Sequence, residues 1–336
     1  MLLFPWIWMK IPWEIYPGRN RGKAKMIKNK NLDTKNTKIL SPSVYTIVLN
    51  YNNYSDTIET IESVLSLDYD ANSVLLIENS SDKTIIRKIR TQFPDLAIIE
   101  NKKNLGYSGG NNIGIQKAIA SGADYIFLLN NDIRLEKDVL KKCVSAMERS
   151  PGCGACQPII VTFENEEIVW SAGTQLFFGY PRLYLKGTKL QKNEINTSPF
   201  GLVGCAILFR REALQQTGLL DESLFLLHEE TDWCIRAKQM NYSLLIISNA
   251  IVYHKISTTI GMFSKIYLYY IGRNWLLVGK KNFSFFCYLY ILLTEFLIRF
   301  PYYLYNVTKK NQIGMIKFYL KGIFDGILGT SGEAKI

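Results

Sequence analysis

The stretch CGAC at Cys153–Cys156 has the spacing of half a zinc site, but no second C-x-x-C or C-x-x-H follows it. A structural zinc needs four such ligands, so the six cysteines read as reduced core residues of a cytosolic protein. Neither G-x-G-x-x-G nor a Walker sequence occurs, which argues against a Rossmann dehydrogenase and against P-loop chemistry. Between Asn282 and Tyr305 only Phe283–Thr294 is free of charge. That run is shorter than the roughly 20 apolar residues a membrane span requires. The N-terminal MLLFPWIWMKIPWEIYPG lacks a basic leading segment and a small-residue cleavage site, so it makes a poor signal peptide. Pro5, Lys10 and Glu14 interrupt it as a span. Acids are in deficit, 29 against 40 Lys and Arg, for a net charge of +11. That charge suits an anionic membrane surface or a phosphorylated substrate. It gathers mainly near the termini, and no aromatic–basic recognition motif organises it, so a nucleic-acid partner is not expected. There are no internal repeats and no low-complexity tract.

What is present is mostly hydrophobic, 48% of 336 residues, enough for one large α/β domain or two lobes. From residue 44 the pattern is regular. Apolar, β-rich runs occur at Val44–Asn50, Ser73–Ile77, Leu96–Glu100 and Tyr125–Leu129. Helical stretches follow each one: from Asp56 to about Leu67, opened by the capping-box spacing of Asp56 and Glu59; around Lys83–Arg90; Gly109 to Ser121; and Glu136–Arg149. Strands apolar throughout and alternating with helices predict a mostly parallel sheet covered on both faces. In such sheets ligands bind beyond the carboxyl ends of the strands. The four strands run into NYNN (Asn50–Asn53), ENSSD (Glu78–Asp82), NKKNLGYSGGNN (Asn101–Asn112) and NND (Asn130–Asp132). Four polar clusters on one sheet edge predict one site.

The second half is less regular. Gly201–Leu214 reads as a buried strand turning into a helix, and Ser243–His254 as a strand. The expected divisions are an aromatic and basic extension over 1–40 that suits a membrane interface, and two halves of the α/β region over 41–150 and 151–262. A membrane-associating helical region over 263–336 follows. In that last region Glu295 and Arg299 are spaced to pair on one helical face, with lysines at both ends, which predicts helices lying in the interface rather than crossing it.

Three groups of residues carry chemistry. Glycines before a helix, in NLGYSGGNN, leave backbone N–H groups free for an anion. Asp132 at a strand end can hold a divalent cation against a diphosphate, while Asn130 and Asn131 offer uncharged hydrogen bonds to sugar hydroxyls. HEETDWCIRA sets His228, Glu229, Glu230 and Asp232 behind the apolar Leu224–Leu227, where desolvation and repulsion raise a carboxyl pKa, as a general base needs. His254 ends an apolar strand and is either a ligand or a core residue.

In this order, VLNYNN, IENSSD, NLGYSGGNNIGI, YIFLLNND, GLLDES and EETDWCIRA resemble the family 2, GT-A fold, inverting glycosyltransferases, most closely the rhamnosyltransferase-like branch. The resemblance spans Val44 to His254. It implies that Asn50, Tyr51, Glu78, Gly106, Gly109, Asn111, Asn130 and Asn131 form the nucleotide-sugar site, with Glu78 where the family usually has Asp. Asp132 is the one acid retained from the D-x-D motif, and with His254 it would hold Mg²⁺ or Mn²⁺. Glu230 would be the catalytic base, with Glu229 and Asp232 orienting the acceptor. The implied partners are a nucleoside-diphosphate sugar and a glycan or polyprenyl-diphosphate-linked acceptor at the cytoplasmic face of the membrane. The thinned acid motif leaves two alternatives, a catalytically degenerate membrane assembly partner and a sugar nucleotidyltransferase.

Overall fold

The computed structural model describes residues 41–79, 82–190, 199–255, 261 and 263–336. The N-terminal extension over 1–40 lies outside the described residues, as do Ser80 and Ser81 of the second polar cluster. The first half alternates as its hydrophobic pattern requires: β1 (Val44–Asn50), α1 (Ser55–Leu65), β2 (Asn72–Glu78), α2 (Lys83–Gln92), β3 (Ala97–Glu100), α3 (Gly106–Ala120), β4 (Tyr125–Asn130), β5 (Ile133–Leu135) and α4 (Val139–Glu148). β1 lies between β2 and β4, and β2 pairs with β3, all parallel. The strands are apolar on both sides because both faces are covered. Val44 and Val48 pack with Ile61 of α1, Ile89 of α2 and Val144 of α4, whereas Ile47 packs with Ile115 and Ala118 of α3. Register makes the strand ends flush: Asn50 stands opposite Glu78, Leu49 opposite Asn130, and Glu78 opposite Glu100.

Two local expectations change. The Asp56–Glu59 spacing does not form a capping box, because both carboxylates turn to Lys255, each at 2.7 Å from its Nζ. Asn53 Oδ1 instead accepts the Asp56 N–H at 3.3 Å. Helix α3 begins at Gly106 rather than Gly109, since Asn104 Oδ1 accepts the Gly106 N–H at 2.8 Å and starts the helix early.

The second half continues the sheet but mixes its direction. It contains β6 (Cys153–Thr162), β7 (Val169–Ser171), β8 (Thr174–Phe177), β9 (Tyr180–Leu183), β10 (Ala206–Arg210), α5 (Arg211–Thr217), α6 (Glu229–Gln239) and β11 (Ser243–His254). The sheet order is β3-β2-β1-β4-β10-β6-β11-β5, with β7 on β6; β8 and β9 form a separate hairpin. β10 runs antiparallel between β4 and β6, and β11 runs parallel to β6 and antiparallel to β5. A register shift at the start of β6 leaves Cys153 and Cys156 in one buried layer with Cys143. Burial pushes the Cys153 thiol up to about 11 and that of Cys156 well above its usual range, so the C-x-x-C is packing, not chemistry.

The C-terminal region is helical: α7 (Lys265–Asn282), α8 (Phe285–Thr294), a π-turn (Glu295–Arg299), α9 (Phe300–Lys309) and α10 (Ile316–Leu328). From α8 to α9 the helix is continuous over Phe285–Lys309, 25 residues, long and apolar enough to cross a membrane. The charges that divide this run in sequence do not divide it in space, because Glu295 and Arg299 are buried and paired with one another. Ile291, Tyr303 and Val307 pack on Leu268, Ile271 and Trp275 of α7, in one cluster with Leu224 and Ile235 of the α/β region. α7 and α10 touch closely because Gly322 has no side chain; a Cβ there would overlap the Tyr269 carbonyl.

Candidate active site

The polar strand ends form one hydrogen-bonded network. Asn50 is fully buried; its Nδ2 donates to Glu78 Oε2 at 2.7 Å, and its Oδ1 accepts from Asn131 Nδ2 at 2.8 Å and Thr57 Oγ1 at 2.9 Å. Glu78 is thereby drawn toward β1, and Tyr51 stands exposed just beyond it. The glycine loop hangs on a residue that motif reasoning passed over. Asn79 Nδ2 donates to Gly106 O at 3.0 Å and Asn104 Oδ1 at 2.8 Å, and its Oδ1 accepts from Leu105 N at 3.0 Å. Gly106 has φ +73, and a Cβ there would strike the Phe225 carbonyl, so the loop touches the acid-bearing segment through backbone alone. Gly109 and Asn111 are buried in the first turns of α3. Ser108 Oγ and Asn111 Oδ1 are buried without a hydrogen-bond partner. Asn130 is half-buried, and its N–H donates to Cys205 O at 3.0 Å.

Asp132 and His254 meet because of β5, a three-residue strand too short to register in sequence. Its pairing sets Ile133 opposite His254, and His254 Nε2 lies 3.3 Å from Asp132 Oδ2. Asp132 is 2% exposed, yet neither carboxylate oxygen has a hydrogen bond, and His254 Nδ1 has none either. The Trp170 ring packs edge-on against the imidazole at 4.6 Å. An ionised carboxylate buried without hydrogen bonds costs several kcal/mol, unless a cation completes it. Oxygen and imidazole donors with orphaned atoms fit a hard divalent ion. Among the described residues no group of three His, Cys, Asp or Glu side chains gathers around a metal position.

The acid segment stands across from this edge. Gly204 and Cys205 connect the two sides. The Cys205 thiol is raised well above its usual range by burial, then by Asp132 and then by Glu230; the Gly204 backbone bonds to Glu230, and Cys205 O accepts the Asn130 N–H at 3.0 Å. Tyr107 of α3 donates its hydroxyl to Gly204 O, and its phenol is pushed up by burial, Glu230 and Glu229 in turn. Glu230 is half-buried, and desolvation pushes its carboxyl up to about 7 despite hydrogen bonds from the Glu230 and Gly204 backbones. Glu229 is 1% exposed, and burial followed by repulsion from Glu230 pushes its carboxyl well above the usual carboxylate range. His228 contributes no titration near neutral pH: burial, then Arg299, push it down to about 3, and Tyr180 Oη lies 3.1 Å from its Nε2.

Asp232 departs from the expected role. It is fully buried; Arg236 Nε donates to its Oδ2 at 2.7 Å, Asn282 Nδ2 to its Oδ1 at 2.8 Å, and Lys281 Nζ lies 3.3 Å away. These bonds tie α6 to α7 and leave no oxygen for an acceptor, because two positions along a helix turn Asp232 away from Glu230. Two further residues escaped sequence reading. Phe225, Leu227 and His228 all have positive φ, a strained run for side-chain-bearing residues. Asn274 of α7, fully buried, holds it in place: its Nδ2 donates to Leu224 O at 2.9 Å, Leu226 O at 2.6 Å and Leu227 O at 2.8 Å. Arg273 Nη2 adds a bond to Leu224 O at 3.0 Å. A surface depression lined by Asp68, Asp138, Lys141, Lys142 and Arg149 contains none of these residues.

The family model for glycosyl transferase family 2 matches residues 45–218, more than half of the chain. The chain belongs to this family. Its relatives include the dTDP-rhamnosyl transferase RfbF of Shigella flexneri, 23% identical over 316 residues, covering 88% of this chain and 99% of RfbF. The N-acetylglucosaminyl-diphospho-decaprenol L-rhamnosyltransferase of Mycobacterium tuberculosis is 24% identical over 208 residues, 56% of this chain and 68% of that one. Among solved structures, TarS 1-349 of S. aureus aligns with TM-score 0.55 and 15% identity over 86% of this chain and 81% of TarS. GalNAc-T7, with UDP, GalNAc and Mn²⁺, aligns with TM-score 0.56 and 15% identity over 71% of this chain and 48% of its own. The family 2 domain here thus has the GT-A-like α/β fold, and the protein is a glycosyltransferase.

Proposed function

We propose that this glycosyltransferase moves a sugar, with rhamnose the first candidate, from a nucleoside diphosphate to a lipid-linked glycan, with inversion and with help from a divalent cation. The work belongs to surface polysaccharide synthesis at the cytoplasmic face of the membrane. The observation that carries this reading is that the adjacent residues Gly204 and Cys205 bond to Glu230 on one side and to the N–H of Asn130, two residues before Asp132, on the other. The Asn50, Glu78 and Asn131 network forms the floor for the nucleotide, with Tyr51 at its lip. At the start of α3 the orphaned Ser108 Oγ and Asn111 Oδ1 are left for the donor, and Gly109 and Asn111 line the sugar side. Asn130 offers a neutral hydrogen bond to the donor.

Glu230 takes the proton from the acceptor hydroxyl. That oxygen then bonds to the anomeric carbon as the bond to the diphosphate breaks on the opposite face. A carboxyl poised at about 7 suits this task, because it is substantially ionised at neutral pH yet basic enough to accept the proton. Glu229, whose carboxyl is raised by burial and by Glu230 and whose Oε2 has no hydrogen bond, orients the acceptor. Asp132 and His254 would hold Mg²⁺ or Mn²⁺, which supplies charge neutralisation for the departing diphosphate. The rhamnosyltransferases among the relatives, one named for a decaprenol-linked acceptor, support the donor and acceptor classes.

The test is turnover of a nucleotide-sugar panel with and without Mn²⁺, with Glu230→Gln alongside. Release of nucleoside diphosphate with Mn²⁺ supports the reading; release of pyrophosphate supports a nucleotidyltransferase. Absence of metal-dependent donor binding supports a degenerate assembly partner.

A further inference from the structure

The helix running from α8 through the π-turn to α9 is inside out for a protein in water. Its charged residues, Glu295 and Arg299, are buried together with Thr294. Outward stand Phe285, Phe286, Leu289, Leu293, Phe296 and Leu297, with Phe286 80% exposed and Leu297 67% exposed. A monomer in water rarely shows so long an apolar face unless something covers it. The β8–β9 hairpin continues this surface. Its tip shows Leu176, Phe177 and Phe178, and the next residue, Gly179, is so close to Tyr290 of α8 that a Cβ would lie 2.9 Å from that ring.

The charge around this face selects the occupant. Between residues 233 and 332 the acids are Glu295 and Asp325, and both are buried. Lys309 and Lys310 are exposed at the C-terminal end of α9, Lys280 near the end of α7 and Lys317 at the start of α10. Cations around an apolar aromatic face suit the headgroup layer of an anionic bilayer, and a self-repelling cationic rim disfavours a second copy. The same packing decides between lying and crossing. The buried side of the helix rests on α7 and α10 along its length, and α7 rests on Leu224 and Ile235 of the catalytic half. A crossing helix would drag that body into hydrocarbon; a flat one leaves it in water.

We propose that this face and the hairpin tip form a platform lying flat in the interface of an anionic membrane, with the acceptor reaching the acid segment from the lipid side. The hairpin supplies the link. Tyr180 of β9 contacts His228 at 3.1 Å, directly before Glu229 and Glu230, and Trp275 Nε1 donates to Gly179 O at 2.9 Å. A lipid-anchored acceptor therefore reaches Glu230 along the hairpin while its lipid tail stays in the bilayer. This last clause rests on the proposed transfer; the platform itself does not.

The experiment is flotation of the full chain with phosphatidylglycerol–phosphatidylcholine vesicles and with phosphatidylcholine vesicles alone, in parallel with donor hydrolysis in solution. The protein floats with the anionic vesicles. Phe285→Ser, Phe286→Ser, Leu293→Ser and Leu297→Ser combined lower partitioning by about tenfold or more, because membrane affinity scales with buried apolar area, and Phe177→Ser with Phe178→Ser lowers it partly. Lys309→Glu with Lys310→Glu weakens binding to anionic vesicles only, and added salt erases the difference. Donor hydrolysis and thermal midpoint hold in all three variants, so a failed transfer reading appears in hydrolysis and a failed platform in flotation. Three outcomes overturn the platform: wild-type protein that stays unbound, a serine variant that floats like wild type, or a dimer that the serine variant abolishes without any vesicle binding.

Discussion

Glu230→Gln separates chemistry from folding in one substitution. The fold raises this carboxyl from an ordinary 4.5 to about 7, chiefly by desolvation. A raised carboxyl pKa means that the folded state resists ionisation. Below about pH 4.5 the group is protonated in both folded and unfolded chains, so it costs nothing. As pH rises through about 7, the folded protein must carry the charge, at a cost on the order of 2–3 kcal/mol after allowance for cleft water. Glutamine keeps the shape and removes the charge. The variant is therefore more stable than the parent by on the order of 2–3 kcal/mol at pH 8, and equal to it near pH 4. Its transfer rate falls by roughly 10²–10⁴-fold, the usual worth of a general base, while donor affinity holds. In the parent, kcat rises with pH through a midpoint near 7. Denaturant titrations at several pH values, with steady-state kinetics, read both effects. Parent-like turnover in the variant, or a stability gain independent of pH, would refute the assignment of base and burial together.

Asp132→Asn removes a buried carboxylate that has no hydrogen bond, so without metal the variant is about 1–3 kcal/mol more stable. With Mn²⁺ and nucleoside diphosphate the parent gains about 2.7 kcal/mol at a hundredfold excess over Kd, and the variant gains far less; thermal shift assays measure both. Asn274→Ala leaves carbonyls of the 224–227 segment without a donor and costs about 2–4 kcal/mol, read by denaturation. Hydrogen exchange speeds up at that segment, and transfer falls more than donor binding. Gly106→Ala strains a φ of +73 and pushes on the Phe225 carbonyl, costing about 1–3 kcal/mol and lowering transfer through the acid segment, which kinetics at a permissive temperature detect.

The four parallel strands and their flush polar ends were legible in the sequence because they follow from local pattern. Apolar runs of strand length alternate with helices, and an Asn, Glu or Asp at the end of such a run must leave the core. Glu230, Asp132 and the glycine loop could be singled out because an acid or a glycine run in apolar surroundings is conspicuous in one dimension. Register decided the rest. β5 has three residues and no periodicity to detect, yet its pairing with β11 brings Asp132 to His254 across about 120 residues of chain. Asn79, Arg273 and Asn274 look like ordinary polar residues until folding sets them beneath backbone carbonyls and loop amides. Asp232 looked like a member of the acid cluster because sequence spacing does not say which side of a helix faces the cleft, and α7 claimed it.

The sequence by itself determined the alternating α/β core, the polar clusters at the strand ends and the cationic, aromatic C-terminus, since each depends on neighbours within a few residues. The tertiary structure alone decided that Gly204 and Cys205 join Glu230 to the strand end before Asp132, that α7 holds the strained acid segment, and that Glu295 and Arg299 of the last long helix turn inward. Those outcomes depend on contacts between residues far apart in the chain, where burial and packing, rather than local preference, set the free energy.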